Sequence, residues 1–110
     1  MSAMAEVTRY ERVMPAEELE PQRLTPAVVA GEPVCLVRLA DRVVAFDDRC
    51  PHRGTPLTQG TLQGTTLTCA AHTWEFDVRT GALLRLRAPA CLSMRSVRER
   101  DGQIEVGPAP

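Results

Sequence analysis

The chain contains two histidines, and each stands beside a cysteine. The first group is Cys50-Pro51-His52-Arg53-Gly54 and the second is Cys69-Ala70-Ala71-His72, so the pattern reads C-x-H, a spacer, then C-x-x-H. Side chains kept only for packing would be scattered. A thiolate and an imidazole this close in sequence can be aimed at neighbouring metal ions from one short loop, and two such loops make a clamp. The fold is therefore constrained to bring two loops together from distant parts of the chain. A tetrahedral zinc site is the competing metal reading, because zinc also accepts two Cys and two His. The spacing disfavours it: zinc fingers pair the cysteines and keep the histidines together on a helix, whereas each loop here mixes one of each.

The segments around these groups read as strands. Val34-Cys35-Leu36-Val37 and Val43-Val44-Ala45-Phe46 flank Ala40-Asp41-Arg42 as a β-hairpin does, which puts Cys50 just after a strand. Thr66-Leu67-Thr68-Cys69 alternates with period two after Gly60 and Gly64, so Cys69 ends a strand. Trp74 to Asp77 and Leu84 to Arg87 form a second hairpin pattern, with Gly81 supplying a positive φ. Leu92 to Arg98 and Gln103 to Val106 form a third around Asp101-Gly102. Proline recurs throughout, and Glu17 to Glu20 is the one candidate helix, of one or two turns. Gly107 to Pro110 reads as a loose tail. The expected class is all-β, with short strands and loops that carry the chemistry.

At 110 residues a single domain is the default, and with only Tyr10, Phe46, Trp74 and Phe76 as aromatics its core must be aliphatic and modest. A bound metal centre would then contribute to stability. Met1 to Val7 lacks the features of a secretory signal and no stretch is apolar enough to span a bilayer, so the expected location is cytoplasmic, with no membrane partner. In that reducing compartment the four cysteines are better read as ligands or small buried hydrophobes than as disulfides. Cys35 and Cys91, outside the two groups, take the buried reading. A formal charge of −1 argues against nucleic acid as a partner.

From Cys50 to Phe76 the sequence resembles the Rieske [2Fe–2S] family, and the strand pattern extends the likeness over about 30–106. The resemblance implies a Rieske fold of small antiparallel sheets: a basal β-sandwich and a cluster-binding subdomain over about 49–89 within a single 1–110 domain. It implies one [2Fe–2S] cluster per chain, with Cys50 and Cys69 on the inner iron and His52 and His72 on the outer. Two ferric ions, two sulfides and two thiolates sum to zero formal charge, whereas four thiolates would leave two negative charges, so reduction is easier with imidazoles. Ala88-Pro89-Ala90 sits where the family's proline loop covers the cluster.

High-potential respiratory members carry a disulfide between the loops and two hydroxyls that donate to sulfur. The corresponding positions here are Thr55 and Ala71, and Trp74 and Phe76. Without those donors the added electron is less stabilised, which predicts a low-potential centre, roughly −150 mV. Such proteins resemble the ferredoxins of bacterial multicomponent oxygenases, which carry single electrons from an NAD(P)H-dependent flavoprotein reductase to a terminal oxygenase and are not themselves enzymes. The run Cys69 to Phe76 is similar to the toluene-monooxygenase type, C-x-A-H-x-W-x-F, rather than the dioxygenase type, C-P-W-H-G. The expected protein is a monomeric electron carrier with those two partners. The alternatives are a metal-stabilised binding module and a small subunit of a larger reductase. Trp74 is balanced between core packing and shielding the cluster. Arg53 is a candidate partner contact, and 79–100, with six arginines against one acid, a candidate basic face.

Overall fold

The computed structural model describes residues 9–51, 54–70 and 74–110. Among the described residues eleven strands run in chain order: β1 (Glu11–Pro15), β2 (Thr25–Val29), β3 (Glu32–Arg38), β4 (Val43–Asp47), β5 (Thr61–Gln63), β6 (Thr66–Thr68), β7 (Glu75–Asp77), β8 (Leu83–Leu84), β9 (Met94–Arg95), β10 (Val97–Arg100) and β11 (Gln103–Val106). They form three sheets, ordered β1-β11-β10, β2-β3-β4-β9 and β5-β6-β7-β8, and every paired strand is antiparallel. The fold is all-β, as expected.

The apolar run in β3 is continuous because the strand is buried on both faces, and period-two geometry sends alternate residues to two different cores. Val34 and Leu36 face Ile104 and Val106, closing the first two sheets over one another. Cys35 and Val37 face the other way, joining Phe46, Leu57, Leu67 and Phe76 in a second core that reaches the third sheet. Phe46 and Phe76 are fully buried there. Each such ring contributes about 1.5–3 kcal/mol through removal of apolar surface from water. This second core is what fixes the third sheet on the other two.

Four expectations change. The candidate helix is a single 3-10 turn, Ala16–Glu18. The run Leu92 to Arg98 serves two sheets: Met94–Arg95 pairs with β4, while Val97–Arg100 pairs with β11. Nor is the tail loose from Gly107. Gly107 is buried, its N–H donates to the Ser96 carbonyl at 2.8 Å, and Ser96 N–H donates to the Pro108 carbonyl at 2.9 Å. Finally, Cys91 is exposed and joins Ala82 only through an isolated bridge, whereas Cys35 is fully buried in β3 as expected. The second hairpin turns at Gly81, whose φ is +86°.

Gly60 fixes the approach of β5 to β6. A Cβ there would collide with the Thr68 carbonyl oxygen, a backbone atom that cannot swing aside. Gly60→Ala is therefore expected to cost about 1–3 kcal/mol, the range for overpacking. Urea denaturation would show it as a lower midpoint at unchanged slope, and an unchanged midpoint would contradict the clash.

Candidate metal centre

Both cysteine loops leave the ends of strands. Cys50 follows β4 after Asp48 and Arg49, and its loop is closed twice: Gly54 N–H donates to the Cys50 carbonyl at 2.7 Å, and Cys50 N–H to the Thr55 carbonyl at 2.8 Å. Cys69 follows β6 directly. Its N–H donates to the Trp74 carbonyl at 2.8 Å, which extends the β6–β7 ladder by one step and closes the loop over 69–74. Cys50 and Cys69 are each 1% exposed and belong to the same core as Phe46, Leu67 and Phe76. His52 and His72 lie in sequence inside these two closed loops, but outside the described residues, as does Arg53.

The first loop has an anchor that the sequence did not disclose. Both oxygens of Asp48 accept from Thr58: its N–H at 2.8 Å on one and its hydroxyl at 2.8 Å on the other. This ties the residue two before Cys50 to the 3-10 turn Leu57–Gln59, whose Leu57 is fully buried. Ten residues separate the partners, so no local motif signals the contact. Asp47, one residue earlier, accepts from Arg95 Nε at 2.7 Å, tying the end of β4 to β9.

The second loop leads into aromatics. Trp74 is half-buried against the core, so it packs as the core reading requires. It stands 6.4 Å from Phe76, ring centre to ring centre, at 55°. Phe76 is fully buried and has no hydroxyl to offer a sulfur atom.

The donor chemistry fits an iron–sulfur centre. None of the four cysteines is in a disulfide. Two of the buried thiols head separate loops within one core, and each loop's sequence supplies an imidazole. Cys35, in the same core but within a strand, behaves differently. Burial, and next the Asp48 carboxylate, push its thiol from 9.0 up to about 12. Below about pH 9 it is protonated folded or unfolded; above that the unfolded chain ionises first, so its contribution to stability falls as pH rises from 9.0 to about 12. Iodoacetamide at about pH 8 is expected to alkylate exposed Cys91 and spare Cys35. Equal modification of both by mass spectrometry would contradict that assignment.

Fold and donors together define a class: an all-β protein with two buried cysteines at the heads of loops that leave strand ends, an arrangement suited to holding a metal centre. Comparison with known families sharpens it, because the Rieske [2Fe–2S] domain model matches residues 9–104. The chain belongs to that family, and its cofactor is a [2Fe–2S] cluster. Methylxanthine N1-demethylase of Pseudomonas putida is 36% identical over 68% of this chain, yet the match spans only 21% of the demethylase. The ferredoxin component of the alkene monooxygenase system of Xanthobacter autotrophicus is 32% identical over 74% of this chain and 67% of its own length. Among solved structures, the ferredoxin of carbazole 1,9a-dioxygenase from Nocardioides aromaticivorans superposes with a TM-score of 0.81 at 31% identity, covering 90% of this chain and 97% of that one.

Proposed function

We propose that the chain is a ferredoxin, a carrier of single electrons from an NAD(P)H-dependent flavoprotein reductase to a terminal oxygenase, either a monooxygenase or a ring-hydroxylating dioxygenase. In this reading residues 1–110 form one Rieske domain with a cluster-binding subdomain over about 49–89. Cys50 and Cys69 would hold the inner iron and His52 and His72 the outer. The bound cluster supplies reversible one-electron chemistry. Cys50 and Cys69, buried in the apolar core, would hold their iron out of water, and the hydrogen bonds that close each loop fix the positions of these two cysteines.

The observation that carries the reading is the pair of cysteines buried in one core at the heads of two closed loops. The likeness to ferredoxins of comparable length supports a carrier rather than an oxygenase. With both histidines assigned to iron, the sequence holds no third for a mononuclear iron or a catalytic base, so the chain is read as an electron-transfer component and not an enzyme. Among the described residues no helix is long and apolar enough to cross a membrane. We place the protein in the cytoplasm as a monomer.

Spectroelectrochemical titration tests the proposal. The expected result is a reversible one-electron wave at about −150 mV, because Trp74 and Phe76 bring no hydroxyl to the cluster sulfurs. A midpoint well above zero would contradict the low-potential assignment, and a two-electron wave would contradict the carrier.

A further inference from the structure

We propose that the exposed segment Arg85-Leu86-Arg87-Ala88-Pro89 is the docking edge of this protein, and that it fits a redox partner whose electron-exchange site is rimmed by carboxylates. The inference rests on the reading of the chain as an electron carrier.

Placement comes first. Leu84 pairs with Glu75 across β8 and β7, so Arg85 emerges opposite Trp74, the residue that closes the second cysteine loop. Arg85 has a φ of +68°, which turns the chain off the sheet, and its Nε lies 3.0 Å from Glu75 Oε1. All five residues of the segment are exposed. Leu86 is 49% exposed and, among the described residues, only Val28 is a more exposed large apolar side chain. Val28 lies on β2, in a different sheet from the second cysteine loop.

Charge comes second. Residues 49–89 carry five arginines against two carboxylates, a side-chain charge of +3, while the rest of the chain carries eight arginines against twelve carboxylates, or −4. Both carboxylates of the cationic part, Glu75 and Asp77, already face arginines, Arg85 and Arg79. In a chain of overall charge −1, the positive excess thus falls in the segment that holds both cysteine loops and Arg87. A local excess of that sign favours approach to an acidic surface during encounter. An apolar Leu86 between two arginines then supplies what a small transient interface needs, one desolvated anchor inside a charged rim.

Protein-film voltammetry of the holoprotein tests this on gold coated with a carboxylate-terminated monolayer, and in parallel on an amine-terminated one. The expected result is faster electron exchange on the carboxylate surface despite the net negative charge. Arg87→Glu should slow it about tenfold there, with the visible spectrum and midpoint unchanged. Arg100→Glu, the same change of charge on exposed β10, should leave it within about twofold. Leu86→Ser should slow exchange without altering its salt dependence. Faster exchange on the amine surface, or an equal effect of both arginine variants, would overturn the docking edge while leaving the carrier intact. A salt-sensitive dimer lost in Arg87→Glu would assign the segment to a second copy and also overturn it. No reversible wave on either surface would mean instead that the carrier reading has failed.

Discussion

Cys69→Ala is expected to abolish cluster binding and to lower the unfolding temperature well beyond what a lost sulfur atom explains. The side chain is 1% exposed among Phe46, Leu67 and Phe76, so the packing loss alone is about 1–2 kcal/mol. The larger effect is linkage. Whatever binds only the folded state stabilises it, by about 4 kcal/mol when ligand stands at a thousandfold its dissociation constant, and this core is small enough for that to matter. Cys35→Ala is the control, since it removes a thiol from the same core without touching either loop. It should keep two irons and two sulfides per chain and show only the packing loss. Iron and sulfide analysis with thermal unfolding checks both variants. Stoichiometric iron in Cys69→Ala, or loss of the cluster in Cys35→Ala, would contradict the assignment of ligands.

Replacing His72 with Cys is expected to keep iron but lower the midpoint strongly. The change exchanges a neutral donor for an anionic one, so the cluster gains negative charge and accepts an electron less readily. The roughly 250 mV between the low end of mixed centres and the roughly −400 mV region of plant-type ferredoxins covers two such exchanges, so one puts the fall at roughly 100 mV. The same titration that measures the parent measures the variant. An unchanged midpoint would mean that residue 72 does not reach a metal.

The parts of the fold legible in sequence are those where one physical demand dominates. Val34 to Val37 was legible as a hairpin strand because it is apolar without interruption, and β3 pairs with β4 through Val34↔Asp47 to Arg38↔Val43, while its burial on both faces follows from the two cores it joins. Cys50 was placed just after a strand and Cys69 at a strand's end because turn residues and alternation bound those strands closely, and β6 stops one residue earlier, at Thr68. The edges were harder to read. β2 contains Pro26, which argues against a strand, yet β2 pairs only with β3, and an edge strand tolerates a missing N–H. β1 and β5 carry few apolar residues, since each lies at the edge of its sheet and is defined by its partner more than by its own pattern. The division of Leu92 to Arg98 between two sheets had a faint signal in the sequence: Leu92 and Met94 alternate with polar residues, but the period slips at Ser96 and Val97 falls out of phase, and the contacts of Ser96 with Gly107 and Pro108 show the chain changing sheets there. Cys91 was misplaced in the core by the general tendency of free cysteines to be buried, which its exposed position before β9 does not follow. Of the site itself, the donor types and their spacing were legible, whereas the Asp48 to Thr58 anchor depends on a contact ten residues apart.

The electron paramagnetic resonance spectrum of dithionite-reduced protein, recorded with iron and acid-labile sulfide analysis on the same anaerobic sample, tests the central claim most directly. The account predicts a rhombic signal with average g near about 1.9, and two irons and two sulfides per chain, as two thiolates and two imidazoles on one cluster require. A silent spectrum with one zinc per chain would contradict it, and would leave a metal-stabilised binding module in place of an electron carrier.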